Sequence, residues 1–301
     1  MEQVIQQIVN WLALGAIYAL LAIGFSLLFG VLNVIQFSHG DVGLVAPFVA
    51  IACLSAASAL VPGAGLFVAV LISILAVGVL GILLDRVMIR RFRTAPPMMA
   101  LVATVALGIV LRELIRLVYP DGSNPHPFPV LIEGNAAVIG GVNVSWLVVS
   151  MLAVTVLMVA ALTLFLHRTT LGMHIRAVSQ DLDMARMLAI NPNRIFQATF
   201  FIASATGAVA GVFYASYIGL MRFDLGIIAG LLGFSAAVIG GLGNMTGAIV
   251  GSLVLAALDT LVQAVMPDGT AYRLVVAFLL VLVVLVFRPA GLLGRTVPEK
   301  V

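Results

Sequence analysis

The chain consists largely of long apolar runs separated by short polar stretches. The runs of membrane length lie at residues 8–32, 42–61, 64–84, 98–118, 145–166, 195–219, 227–243, 247–266 and 272–287. A helix needs about 20 apolar residues to cross a bilayer, whereas a transmembrane strand shows about ten residues in alternation. Because 63% of the 301 residues are hydrophobic and only 9% are charged, the pattern predicts an all-α polytopic membrane protein. We expect a single transmembrane domain over residues 1–301, with about eight or nine membrane-spanning helices.

The positive charges predict which ends of the helices face the cytoplasm. Three polar stretches hold 11 of the 15 Lys and Arg residues, namely Arg86, Arg90, Arg91, Arg93, Arg168, Arg176, Arg186, Arg194, Arg288, Arg295 and Lys300. The positive-inside rule assigns all three stretches to the cytoplasm. The loop at about 119–144 has no Lys or Arg, so we expect it to be external. The net charge of +3 therefore has a topological explanation, and we predict no nucleic-acid partner.

Two glycine-rich segments interrupt the helical pattern, one in each half of the chain. They are GVLNVIQFSHGDVG at 30–43 and VIGGLGNMTGAIVG at 238–251. Paired breaks of this kind indicate a weak repeat of two halves and a transport pathway. Glycine also allows close helix packing, which is an equal alternative. The amino terminus is external if 33–41 reaches the inner face, and a re-entrant segment there would reverse this topology.

The two broken segments supply the candidates for a translocation path, which are Asn33, His39, Gly40, Gly240, Gly241, Gly243 and Asn244. His39 beside Ser38 and Asp41 suggests a nucleophile, a base and an orienting group, but no second cluster offers an oxyanion site. We therefore predict polar contacts at a helix break and no enzymatic activity. The histidines are scattered and Cys53 is the single cysteine, so we predict no metal site and no cofactor.

A polar segment, SQDLDMARMLAINPNRI at 179–195, predicts a short cytoplasmic helix. Ser179 is suited to cap it, and Asp181 and Asp183 fall in its first turn, where the helix dipole favours anions. Pro192 is expected to end it near Ile190. The predicted apolar face contains Leu182, Ala185, Leu188 and Ala189. A helix of about three turns is marginal alone in water, so this face needs a protein groove, although a solvated connector is the alternative.

Three motifs in this chain resemble one family of membrane proteins. HIRAVSQDLDMARMLAINPNRI at 174–195 resembles a loop with an Arg-Ala opening and an AxxMGIN stretch. LNVIQFSHGD at 32–41 resembles the pattern LNxxNFAHGx, and AAVIGGLGNMTGAIVGS at 236–252 resembles xxVxGGxGSxxGAxxGG. On these motifs the chain is identified as a member of the permease subunits of bacterial ABC importers for branched-chain amino acids.

The resemblance implies a multi-pass permease in the bacterial inner membrane with several partners. These are a homologous second permease, two nucleotide-binding ATPase subunits and a periplasmic substrate-binding protein. The loop at about 167–195 is then the cytoplasmic coupling loop. Its predicted coupling residues are Arg176, Asp181, Leu182, Asp183, Ala185, Arg186, Leu188, Ala189, Ile190 and Asn191. Since the chain has no GxxxxGK[ST] phosphate loop, we expect ATP to bind to the partner subunits.

Several positions depart from the family pattern. Ala189 stands where the family has glycine, Pro192 where a small aliphatic residue is common and Thr246 where proline is frequent, and Pro47-Phe48 replaces Ala-Tyr. Relatives of this family also carry urea, short amides and other small organic solutes. The sequence therefore leaves the solute open between branched-chain amino acids and such compounds.

Ionisable residues in the membrane runs carry the alternative function. Arg112 and Arg116, with Glu113 between them, lie near the predicted outer end of their helix, where we expect them to snorkel and anchor it, with contact to the substrate as the alternative. Asp259 lies deep in an apolar run, and we predict that it faces the bundle interior or a partner subunit, since a charge at mid-bilayer costs at least about 2.5–3.5 kcal/mol. An ion-coupled secondary transporter working through Asp259 or Glu113 is the alternative.

Overall fold

The computed structural model describes residues 2–61, 63–92, 95–266 and 269–294. The helices are α1 (Glu2–Leu32), α2 (His39–Leu60), α3 (Gly65–Leu84), α4 (Arg90–Phe92), α5 (Pro97–Val118), α6 (Trp146–Arg168), α7 (Thr170–Gln180), α8 (Leu182–Met187), α9 (Pro192–Ile218), α10 (Leu225–Gly240), α11 (Met245–Val265) and α12 (Gly269–Phe287). A π-helix, Asp85–Ile89, joins α3 to α4. Arg93, Arg295 and Lys300 lie outside the described residues.

Each predicted apolar run forms a helix. Among the described residues, seven helices are long and apolar enough to cross a membrane, and α10 and α12 contribute shorter apolar helices. The strands are β1 (His126–Pro127), β2 (Asn135–Ile139), β3 (Val142–Ser145) and β4 (Leu220–Met221), which form the antiparallel pairs β1–β4 and β2–β3. The prediction of an all-α polytopic membrane protein is confirmed, with small strand pairs in the loops.

Helix α1 forms the centre of the bundle. In its most apolar stretch 89% of the residues are buried, against 28% for α6. Helices α9, α10 and α11 pack around it. Gly15, Ala16, Ala19 and Ala22 are buried along it, and such small residues let neighbouring helices approach closely. A helix that is apolar on all sides belongs in the core, which explains why the first run of the chain is surrounded by later ones.

The two ends of the bundle differ in charge and structure. At the hairpin end, the β2–β3 turn packs on the amino terminus, because a Cβ at Gly140 would lie 2.4 Å from Ile5 Cδ1. At the opposite end, which we call the basic end, Arg90, His167 and Arg176 surround one cavity. The amino terminus and the 119–144 loop therefore lie at the same end. By the positive-inside rule the basic end is the cytoplasmic one.

Helix α2 begins inside the bundle. Asn33 adopts a left-handed backbone with φ of 53° and turns the chain after α1. The ring of His39, the first residue of α2, lies beside Gly24, where an added Cβ would be 2.2 Å from Nε2. Gly24 precedes the end of α1 at Leu32 by eight residues, or about 12 Å along the helix. The segment 33–38 therefore re-enters the bundle, yet the amino terminus still lies at the hairpin end beside Gly140. The expectation that a re-entrant segment would reverse the topology is wrong, because α1 already spans the bundle before the chain turns back.

Candidate functional site

A cavity of about 1320 Å³ opens at the basic end of the bundle. It is bounded by the end of α1, the starts of α5 and α9, the end of α6, helices α7 and α8, and the turn between α10 and α11. It brings together predicted path residues and predicted coupling residues. Those that line it are Asn33, Gly243, Asn244, Arg176, Leu182, Asp183 and Arg186. Residues predicted from the sequence for the translocation path and residues predicted for ATPase coupling thus line the same cavity.

The turn between α10 and α11 depends on glycine. Gly241 and Gly243 have φ of 110° and 83°, a region that side chains other than glycine rarely adopt. Asn244 caps α11, since its Oδ1 accepts hydrogen bonds from the backbone N–H groups of Thr246 and Gly247 at 3.1 and 3.2 Å. A polar side chain is therefore held at the wall of the cavity.

The segment that follows α12 packs against the turn between α10 and α11. Asn244 Nδ2 donates to the carbonyl of Leu293 at 2.7 Å, and the N–H of Leu293 donates to the carbonyl of Gly240 at 3.0 Å. A Cβ at Gly241 would lie 2.7 Å from the backbone nitrogen of Gly294. Gly241 therefore packs against the returning chain and does not line the cavity.

Two other predicted path glycines lie at helix crossings. A Cβ at Gly40 would be 2.3 Å from Gly230 Cα, and one at Gly240 would be 2.0 Å from the Gly247 carbonyl oxygen. Only glycine permits backbones this close. These contacts fit the packing alternative, and the part of Gly40 and Gly240 in transport stays a prediction.

His39 lies in the core and away from the cavity. It is 1% exposed, and its ring meets the edge of Phe25 with centroids 4.8 Å apart. A Cβ at Gly207 would be 3.0 Å from the ring. The imidazole thus fills a gap left by glycines on α1 and α9, and its part in the path stays a prediction.

The predicted coupling helix is shorter than expected and differently capped. Helix α7 continues through Ser179, whose Oγ donates to the Arg176 carbonyl at 2.7 Å. The break comes at Asp181, which has extended backbone and whose Oδ1 accepts from the N–H groups of Asp183 and Met184, both at 3.0 Å. The prediction that Ser179 caps the helix is wrong, because the Asp181 carboxylate satisfies the free N–H groups of α8.

The carboxyl end of α8 also differs from the prediction. The helix ends at Met187, and Ala189 adopts a left-handed backbone with φ of 58°. The N–H of Ile190 then returns to the carbonyl of Ala185 at 3.1 Å, the bond that typically ends a helix with a left-handed residue. Pro192 does not end this helix but begins α9, with Asn191 as the cap, whose Oδ1 accepts from Asn193 N–H at 3.1 Å.

This early ending changes the exposed face. Ala185 is 1% exposed and belongs to the core of this chain, whereas Leu188 is 72% exposed, so the prediction that they share one docking face is wrong. The exposed apolar groups are instead Met184, Met187 and Leu188, which we call the methionine patch. The spacing of the two methionines at i and i+3 was the available signal for it.

Asp259 is a buried acid with three side-chain partners. It is 4% exposed, which confirms that it faces the interior. Its Oδ2 accepts from Tyr18 Oη at 2.5 Å and Arg273 Nε at 2.7 Å, and its Oδ1 accepts from Gln263 Nε2 at 2.8 Å. Arg273 also donates to Tyr18 Oη. Protein hydrogen-bond donors and the charge of Arg273 thus satisfy the Asp259 carboxylate. Little of its acceptor capacity is left to bind a coupling ion.

Arg112 departs from its predicted outward position. Its Nε lies 3.7 Å from Asp41 Oδ1, and its side chain is 16% exposed. Arg116 instead pairs with Glu113 at 3.0 Å, and both of these side chains are more than 40% exposed. The prediction that Arg112 snorkels together with Arg116 is wrong, because α5 packs on α2 along the face that carries Arg112.

A helical bundle with a re-entrant helix and a polar cavity open at one end is the architecture of a solute-transport protein. Residues 7–285 match the family described as branched-chain amino acid transport system, permease component. The chain therefore belongs to this family, which confirms the resemblance in the three motifs.

Individual relatives align over nearly the full length of the chain. It is 34% identical to the high-affinity branched-chain amino acid transport system permease protein BraD of Pseudomonas aeruginosa, over 99% of this chain and 98% of the relative. It is also 34% identical to the permease proteins LivH of Salmonella typhimurium and Escherichia coli K12, over 99% of this chain and 97% of each relative. The chain is thus a permease component of a transport system.

Proposed function

We propose that this chain imports branched-chain amino acids across the bacterial inner membrane as one permease subunit of an ATP-driven complex. The observation that carries the proposal is the cavity at the basic end, which joins the α7–α8 segment to the Gly243–Asn244 turn. The names of its relatives support the choice of solute.

The methionine patch and the charges beside it support docking on ATPase subunits. Met187 is 81% exposed, and the Asp183–Arg186 ion pair at 2.9 Å stands in solvent next to it. An exposed apolar patch with a charged rim is typical of a protein interface. One of the two nucleotide-binding subunits would dock here and bind ATP, and its movement would shift α7 and α8, which form a wall of the cavity. The other would dock on the second permease.

The remaining partners follow from the family and from the two ends of the bundle. A homologous second permease would complete the translocation path within the bilayer. A periplasmic binding protein would deliver the solute at the hairpin end, opposite the cavity. Asn33, Gly243 and Asn244 would then line the last part of the path before the cytoplasm.

The experiment introduces Met187→Glu into the complex reconstituted with its ATPase and binding-protein partners. We expect co-purification of the ATPase subunits and leucine-stimulated ATP hydrolysis to fall at least tenfold, since a charge would be buried unpaired in the interface. Val138→Glu is the matched control for co-purification of the ATPase subunits alone, because Val138 is 66% exposed at the hairpin end, opposite the methionine patch.

Two results would contradict the proposal. The proposed docking surface would be refuted if Met187→Glu kept both co-purification of the ATPase subunits and leucine-stimulated ATP hydrolysis at the parental level. The solute would be refuted if parental vesicles accumulated urea or a short amide but not leucine, isoleucine or valine. Ala185→Glu is unsuitable here, because Ala185 is buried within the chain itself and its replacement would unfold α8.

A further inference from the structure

A buried ion pair joins α2 to α5 away from the cavity wall. Asp41 is 7% exposed and Arg112 is 16% exposed, with Arg112 Nε 3.7 Å from Asp41 Oδ1. This distance suffices for charge attraction but is too long for a hydrogen bond. No hydrogen-bond donor among the described residues reaches Oδ1. The pair therefore contains a buried carboxylate oxygen that the protein itself leaves unsatisfied.

Such an arrangement is unfavourable as a purely structural feature. Two buried charges lose their hydration, and their attraction compensates for this only when further hydrogen bonds complete both groups. The Asp259 carboxylate shows the complete arrangement, with donors from Tyr18, Arg273 and Gln263. Asp41 lacks an equivalent set on Oδ1. Its environment suits a carboxylate that receives a donor from outside the chain.

The Asp41 carboxylate packs closely against the backbone of two other helices at glycines. A Cβ at Gly108 on α5 would lie 2.4 Å from Oδ2, and a Cβ at Gly226 on α10 would lie 2.4 Å from Oδ1. Any larger residue would displace the carboxylate. Because the backbone of two helices confines it, the group meets a ligand without first being ordered, which is the advantage of a preorganised site.

The pair lies between the cavity and the hairpin end. Thr104 on α5 lines the cavity, and Arg112 follows it by eight residues, which is about 12 Å further along the helix. Asp41 stands in the first turn of α2, directly after the re-entrant segment. A solute that travels from the hairpin end to the cavity passes the depth of this pair.

We propose that Asp41 and Arg112 form a recognition element for zwitterions in the translocation path. The solute's ammonium group pairs with the Asp41 carboxylate, and its carboxylate accepts hydrogen bonds from the forked Arg112 guanidinium. On binding, the contact between Asp41 and Arg112 is replaced by two contacts with the solute. Both the residue pair and the zwitterion have zero net charge, so binding brings no net charge into the membrane. Urea and simple amides carry neither charge and cannot make this exchange. The inference rests on the proposed function and assigns recognition of the charged ends of its solute to these two residues.

The test measures solute binding by the purified complex of permeases and ATPase subunits without its binding protein. Equilibrium dialysis compares radiolabelled L-leucine with 4-methylpentanamide, which has a similar apolar chain but no charge. We expect the parental complex to bind leucine at least tenfold more tightly. The double variant Asp41→Asn, Arg112→Gln leaves no unpaired charge, and it should lose this preference while amide binding stays unchanged.

Two further variants separate recognition from folding. Glu113→Gln, Arg116→Gln neutralises the exposed pair on the same helix and should keep the parental preference for leucine. Arg112→Lys keeps the charge but loses the fork, and it should weaken leucine binding several-fold without affecting the amide. A merely structural pair would change the binding of both solutes together.

The outcomes distinguish this inference from the function on which it rests. Equal binding of leucine and the amide by a complex that accumulates leucine in vesicles would overturn the zwitterion element alone. An unchanged preference in the neutral double variant would overturn it as well. Failure of the parental complex to accumulate any branched-chain amino acid in vesicles, with its ATPase and binding protein present, would refute the proposed function and this inference with it.

Discussion

Two buried Asp–Arg pairs in this bundle have the same chemistry but different surroundings. Asp259 and Arg273 are joined by a 2.7 Å hydrogen bond, with Tyr18 bonded to both. Asp41 and Arg112 stand 3.7 Å apart, and Asp41 Oδ1 has no hydrogen-bond partner among the described residues. Hydrogen bonding therefore distinguishes a pair that fastens helices together from one that is available to a ligand.

The difference arises from the neighbouring residues. Gln263 lies one helical turn after Asp259 on α11 and donates to it at 2.8 Å, and Tyr18 reaches it from α1. Around Asp41, α5 contributes Arg112 at 3.7 Å from Oδ1, and the backbones at Gly108 and Gly226 approach the carboxylate without adding a side-chain donor. The first pair is enclosed by polar side chains and the second by backbone.

The largest effect should come from removing Arg273, the arginine that pairs with Asp259. Arg273→Leu leaves the Asp259 carboxylate buried beside Tyr18 without its counter-charge, and we expect a loss of about 3–5 kcal/mol in the free energy of unfolding. Thermal unfolding of the detergent-purified protein measures this, with Arg116→Leu as the control, since Arg116 is 43% exposed. If both variants unfolded alike, the Asp259 network would not fasten α1, α11 and α12.

A smaller effect should follow from removing one hydrogen bond of the same network. Tyr18→Phe keeps the ring but deletes the hydroxyl that donates to Asp259 Oδ2 at 2.5 Å. We expect a loss of about 1–3 kcal/mol, since the hydrogen bond goes to a buried charged group. Tyr272→Phe is the control, because Tyr272 is 51% exposed. Equal unfolding temperatures for the two variants would show that Arg273 alone satisfies the carboxylate.

The apolar runs of the sequence predicted the helices well, because each run of membrane length has one low-energy structure in a bilayer. The same reasoning correctly placed Asp259 in the interior. Its partner Arg273 was not predicted, because it belongs to the next helix and is brought close only when α11 and α12 pack. Likewise the inward turn of Arg112 depends on which face of α5 meets α2.

The coupling segment was predicted less accurately for a local reason. Capping preferences favour both Ser and Asp, and the choice of Asp181 over Ser179 depends on where the chain bends after α7. Ala189 stands where the family pattern has glycine, and its φ of 58° explains that preference. The departure from the motif was visible in the sequence, but the ending of α8 at Met187, which leaves Leu188 at the surface, was not.

The smallest effect should appear in the contribution of the Asp41–Arg112 pair to stability. Double-mutant cycles with Asp41→Asn and Arg112→Gln report the coupling energy between the two side chains. We expect it to be below about 1 kcal/mol, because a contact of 3.7 Å without a hydrogen bond gains little beyond its desolvation cost. The same cycle on Asp259 and Arg273 should give a larger value, since their hydrogen bonds are shared with Tyr18 and Gln263.

Adding leucine to the purified complex should stabilise the parental protein against heat but not the neutral double variant, because a ligand stabilises only the state that binds it. A large coupling energy between Asp41 and Arg112, with no change in thermal stability on adding leucine, would show that this pair is a structural ion pair like Asp259–Arg273. The contrast between the two pairs would then be lost.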